Sequence, residues 1–139
     1  MKTIFSINRS SENVDIAILI ARVSIAVLML THGIPKIALL NASPDQFIDF
    51  MGLGAELSLI LAIFAEVVCS ILILFGLGTR VAVIPLIITM LVAVFIAHGN
   101  DPFIKQEMGL HYLLIYVILL ITGSGKYSLD KLITTRKHN

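Results

Sequence analysis

The sequence predicts an all-α integral membrane protein, a four-helix transmembrane bundle. Three observations carry this. The 139 residues are 58% hydrophobic, and the mean hydropathy is +0.98. Only 14% are charged, against roughly 25% in ordinary soluble domains, so the chain lacks the polar surface a water-soluble globule needs. The apolar residues are gathered into four long runs rather than scattered at amphipathic spacing. In lipid every backbone N–H and C=O must be bonded within the segment, which makes each run a helix.

The first run, Val14 to Leu30, predicts a span over about 14–32. Its middle arginine, its weakly basic start and the lack of an A-x-A site argue against a cleaved signal peptide. The next segment contains Ser43-Pro44-Asp45-Gln46, a capping box with proline at the first helical position. Phe47, Ile48, Phe50 and Met51 follow, and Gly52 and Gly54 close the stretch. A short interfacial helix or a loop packed on the bundle end both fit. The second and third spans are expected over about 56–76 and 81–98, with Pro85 a tolerated kink in the third. The fourth run, Leu110 to Ile121, is short for the roughly 17–20 residues a crossing needs; Met108, Gly109 and Thr122 extend it to about 108–123. Residues 126–139 form a basic tail suited to anionic lipid.

Lysine and arginine set the orientation. With four spans, one side carries Lys2, Arg9, Arg80, Lys126, Lys131, Arg136 and Lys137, and the other only Lys36 and Lys105. Both termini are therefore expected in the cytoplasm, and the Lys36 side is called outer below. A net charge of +1 gives no reason to expect nucleic acid as a partner. The single cysteine, Cys69, excludes an intrachain disulfide and any CxxC pair; in an apolar run it reads as a small packing residue. A weak internal repeat is present. Spans one and three end in His-Gly, and spans two and four in Gly-x-Gly followed by a basic residue, which suggests two parallel hairpins. Gly123-Ser124-Gly125-Lys126 lacks the first glycine and the strand of a P-loop.

Two constellations carry chemistry. Arg22 and Glu66 are charges inside spanning segments, where charge is expensive and marks a functional hypothesis with a partner to be named. Arg22 lies ten residues before His32, and Glu66 ten residues after Glu56. If those two residues mark the outer boundary, both charges lie about 15 Å below it, near the midplane of a core about 30 Å thick. A buried Arg22–Glu66 ion pair follows as an expectation, with Thr89 at a depth where it hydrogen-bonds the pair. Two readings stay open: a pair that fixes helix packing, or a proton relay or anchor for a polar ligand head. The second constellation is His32, Lys36, Glu56, His98 and His111, all expected at the outer end; the fourth histidine, His138, is in the tail. Histidines of this kind relay protons, hydrogen-bond a quinone carbonyl or bind metal. No H-x-x-x-H spacing is present, so no metal site is assigned; loop-bonded interfacial side chains and a polar mouth to a ligand cavity are the other readings. Tyr112 and Tyr127 read as boundary anchors at opposite ends of span four, and Tyr116 as deep enough to face the cavity.

Taken in order, ARVSIAVLMLTHGIPKI, FIDFMGLG, AEVVCSILILFGLGTR, the histidine closing span three and the final GSGKYSLD resemble the DoxX family of small four-span bacterial membrane proteins, over roughly residues 15–130. Many relatives carry a carboxylate near the start of span four, where this chain offers His111 or Glu107. The resemblance implies a multi-pass protein of the bacterial inner membrane linked to redox metabolism. Some relatives resemble subunits of a quinone-reducing thiosulfate oxidoreductase or of a membrane oxidative-stress complex. No flavin, haem or iron–sulfur motif is encoded, so a bound quinone or a partner subunit would supply the redox centre. Three functions remain in view: a redox-associated subunit holding a quinone, with histidines at the mouth and Arg22–Glu66 at the base; a proton-coupled small-molecule transporter, for which four spans imply a homo-oligomer; and an assembly partner without its own chemistry.

Overall fold

In the computed structural model, which describes residues 10–136, the described chain is mostly helical, with turns and one longer loop, residues 43–54, between the helices. Lys2, Arg9, Lys137 and His138 lie outside the described residues. Four helices are long and apolar enough to cross a membrane: α1 (Ser11–Ala42), α2 (Ala55–Phe75), α3 (Thr79–Ala97) and α4 (Phe103–Thr122). A fifth, α5 (Leu129–Arg136), follows. Among the described residues there is no strand.

Helix α1 is 32 residues long, about 48 Å at the standard rise, and therefore longer than the hydrocarbon core is thick. Ser10 starts it by accepting a hydrogen bond from the Asn13 N–H at 3.2 Å. The expected end at His32-Gly33 is overturned: the helix runs ten residues further, through Pro35, to Ala42. Gly33 is not a cap. It is buried where α1 crosses α2, and a Cβ there would stand 2.8 Å from Val67 Cγ2 and 2.9 Å from Glu66 Cβ. A small residue lets the two helix backbones approach. Gly33→Val is expected to destabilise the bundle by about 1–3 kcal/mol through overpacking. Denaturant unfolding of the purified variant checks this, and an unchanged midpoint would mean that the crossing is loose.

The outer loop holds one 3₁₀ turn, Pro44–Gln46, in place of a longer interfacial helix. Ser43 makes no side-chain cap there, and Phe47 is already extended. The loop is pinned instead by side chains: Ser58 Oγ accepts from the Phe50 N–H at 2.9 Å and Asp49 Oδ1 from the Gly54 N–H at 2.9 Å. Phe47, Ile48 and Phe50 are thereby turned towards the bundle.

Helix α2 contains a π-helical turn at Phe64–Cys69, and α3 ends in another at Ala93–Ala97. Such turns are rare and gather at functional sites. Helix α2 stops at Gly76, whose φ of 69° admits the Leu77 N–H to Leu72 O bond of a Schellman motif. The core is one apolar cluster running between the helices, from Ile25, Ala26 and Met29 through Ile73, Val83 and Leu86 to Tyr116 and Leu119. Ile20, Val27, Phe64, Ile88 and Ile121 point outward, as lipid-facing positions do.

The beginning of α1 and the end of α4 share one end of the bundle, where the Lys126 N–H donates to Asp15 Oδ1 at 3.0 Å. That end also carries Arg80, Lys131 and Arg136. The repeat is half real: Gly76, Gly78, Gly123 and Gly125 all have positive φ in the two inner turns, but His32 lies inside a helix while His98 ends one.

Candidate functional site

The residue that partners Glu66 is Lys36, not Arg22. Lys36 Nζ lies 2.5 Å from Glu66 Oε2, with the side chains 24% and 5% exposed. The π turn places Glu66 on the face of α2 that Gly33 brings against α1. Lys36 lies one turn beyond His32, on the same face. Arg22 is 14 residues earlier, about 21 Å along the helix, at the inner end. There its Nη1 donates to Ser124 O at 2.5 Å and its Nη2 to Tyr127 O at 2.7 Å. It also packs closely against Gly76. The expected pair rested on placing the outer boundary at His32; the true end of α1 lies ten residues further, and that shift of about 15 Å separates the two charges.

Two cavities meet at the Lys36–Glu66 pair. The first, about 200 Å³, is bounded by Met29, His32, Met90, His98, Lys105 and Tyr112. The second, about 500 Å³, lies between α2 and α3 beneath the outer loop, and its walls are mostly apolar: Phe47, Phe50, Leu61, Phe64, Ile88 and Val92. Lys36, Glu66, Ala93 and His98 belong to both. Leu61, Phe64 and Ile88 are themselves 47%, 48% and 51% exposed, so the second cavity opens sideways to lipid.

Of the five outer residues expected to converge, the structure brings together His32, Lys36 and His98. Glu56 is exposed and faces a separate groove beside Asp45. His111 is exposed and lines neither cavity, and nor does Glu107; its neighbour Tyr112 takes the inward position, since adjacent helical residues do not share a face. Among the described residues no three metal-capable side chains come together. Thr89 lines the apolar cavity, but its hydroxyl donates to Pro85 O at 2.8 Å rather than to the ion pair. Tyr112 is not a boundary anchor: it is 7% exposed and stands edge-on to His32 at 5.7 Å between ring centroids. Tyr116 stacks beneath it at 6.2 Å, fully buried, and its hydroxyl has no protein partner. Tyr127 stays at the inner boundary, with Lys126 Nζ 5.8 Å over its ring.

Asp101 was not signalled by the hydropathy pattern. Its Oδ2 lies 2.7 Å from His98 Nδ1 and 3.7 Å from Lys105 Nζ. The hydrogen bond to His98 holds the Asp101 carboxyl below the ordinary carboxylate range. Gln106 Nε2 adds a bond to His98 O at 2.8 Å, so the end of α3 is tied to the start of α4. The spacing His98-x-x-Asp101 just before Pro102 is the signal that could have found it.

No solved structure gives a significant match to this chain. The "Inner membrane protein YqjF" of Escherichia coli (strain K12) is 31% identical over 126 residues, 88% of this chain and 95% of its own. The "Putative oxidoreductase CatD" of Bacillus subtilis (strain 168) is 26% identical over 130 residues, 93% of this chain and 96% of its own. The DoxX family profile matches residues 17–99, which hold Lys36, Glu66 and His98. With four spanning helices and these relatives, the chain is a multi-pass inner-membrane protein that belongs to the DoxX family.

Proposed function

We propose that the protein is a redox-associated membrane subunit that holds a quinone, or a lipophile with the same kind of polar head, in the cavity between α2 and α3. The observation that carries this reading is the joining of unlike surfaces in one site. An apolar space of about 500 Å³ open to lipid ends at an ammonium, a carboxylate and an imidazole, those of Lys36, Glu66 and His98. Small-molecule sites combine mostly apolar walls with a few placed polar groups in this way. A ligand carbonyl would accept from Lys36 Nζ or from His98, and the tail would lie along Phe64 and Ile88 towards the bilayer. The oxidoreductase name of a relative supports the redox association. The sequence shows no flavin, haem or iron–sulfur motif, so electrons would come from a partner or pass through the bound quinone.

Mass spectrometry of organic extracts from the purified protein, together with titration of a short-chain quinone, tests the reading. Retained quinone is expected in the unmodified protein. Ile88→Trp, which fills the cavity from its lipid side, is expected to weaken binding at least tenfold. Lys36→Gln removes a charge-assisted donor worth about 1.5–3 kcal/mol, or roughly tenfold or more in Kd. No retained lipophile, or binding indifferent to both substitutions, would overturn it.

A further inference from the structure

The smaller cavity has a different character from the larger one. Its rim is polar and belongs to the outer end of the bundle: Lys105 is 60% exposed in its side chain and His98 45%. Its floor is Glu66, only 5% exposed. The groups that face Glu66 come from every neighbouring helix: His32 and Lys36 from α1, His98 from α3, Lys105 and Tyr112 from α4, with Asp101 behind His98. The Tyr116 hydroxyl, buried beneath Tyr112, has no protein partner.

Towards the inner end the smaller cavity stops at buried side chains, and the grooves at the inner end itself are separate from it. Ala26, Met29, Ile73, Leu86 and Leu119, each at most 1% exposed, form an apolar layer below Glu66. Below that layer Arg22 is bonded to the carbonyls of Ser124 and Tyr127, across the inner turns. A charged pair is thus reached by polar groups from one side and sealed by hydrocarbon from the other.

We propose that the smaller cavity is a one-sided water path that puts the Lys36–Glu66 pair in proton exchange with the outer aqueous phase and not with the inner one. The step is a proton transfer alone: a proton relayed from the outer phase through water in the cavity is taken up by the Glu66 carboxylate and given back by the same route, and no electron moves. This inference does not depend on what fills the larger cavity. If the larger cavity holds a ligand with an exchangeable proton, that proton is balanced on the outer side.

The test uses full-length protein in oriented vesicles, with Cys69→Ala removing the native thiol. Met90→Cys places a thiol on the cavity wall, and Ala26→Cys places one in the apolar layer. A membrane-impermeant methanethiosulfonate is expected to label Met90→Cys at least tenfold faster from the outer side than from the inner side, and to leave Ala26→Cys unlabelled from both. In parallel, infrared spectra of the reconstituted protein follow the Glu66 carboxyl band, identified by its loss in Glu66→Gln, while the pH of one compartment is stepped. The band is expected to follow the outer pH. Labelling of Met90→Cys no faster than Ala26→Cys, equal labelling from the two sides, or a carboxyl band that follows the inner pH or neither would overturn the proposal. Gel filtration of each variant separates these results from misfolding. Protein that retains no quinone but labels from outside leaves this inference standing and removes the ligand reading alone.

Discussion

Glu66→Ala is expected to destabilise the folded bundle by about 3–5 kcal/mol, the usual cost of removing one partner from a buried ion pair. The substitution leaves the Lys36 ammonium, 24% exposed in its side chain, facing an apolar cavity without a counter-charge. Most of the loss comes from that unpaired charge rather than from the attraction itself. Lys36→Ala is expected to be of similar size, because it strands the Glu66 carboxylate at 5% exposure. The double variant Lys36→Met with Glu66→Leu is then expected to recover most of the loss, since two apolar side chains need no partner in this setting. Unfolding of the four proteins in a double-mutant cycle measures the coupling. Additive single effects would mean that the pair contributes nothing as a pair.

Arg22→Ala is expected to cost about 3 kcal/mol or more, from two charge-assisted hydrogen bonds of roughly 1.5–3 kcal/mol each, less what water recovers. Its two donors hold Ser124 O and Tyr127 O, so the loss falls on the inner turns. Protease sensitivity should rise between residues 123 and 128, while the outer site stays intact. A sharper form is a charge exchange. Swapping Lys36 with Glu66 as Lys36→Glu with Glu66→Lys is expected to retain the fold, because the two side chains meet. Swapping Arg22→Glu with Glu66→Arg is expected to fail, because it breaks two separate sites. A stable, well-folded product of the second exchange would sink the assignment of partners.

Partnership was the part of the site that residue counting misjudged. His32-Gly33 looks like a helix end when read along the chain, since glycine ends many helices in water. In a bilayer a proline is tolerated within a span, and a glycine often marks a helix crossing instead. Glycine at position 33 serves the contact with Val67 and Glu66, a fact that exists only once α2 is beside α1. The same holds for His111 and Tyr112. Both lie in the right stretch of α4, but which one faces the cavity depends on the rotation of the helix about its axis. Helix α4 is apolar on nearly every side, so its composition does not settle that rotation.

Composition and apolar run length determined the class, the number of spans and the alternation that puts both ends of the described chain together. These follow from the sequence because lipid is a uniform solvent that demands length, hydropathy and internal hydrogen bonding from each segment separately. The presence of expensive charges at Arg22 and Glu66 was equally plain. Only the tertiary structure decided that Glu66 belongs with Lys36, that Arg22 holds the inner turns, and that two unlike cavities meet at one ion pair. Those outcomes depend on helix register and rotation, which are set by close packing between surfaces distant in sequence. At 1.5 Å per residue, a ten-residue difference in one helix end is enough to give a charge a new partner.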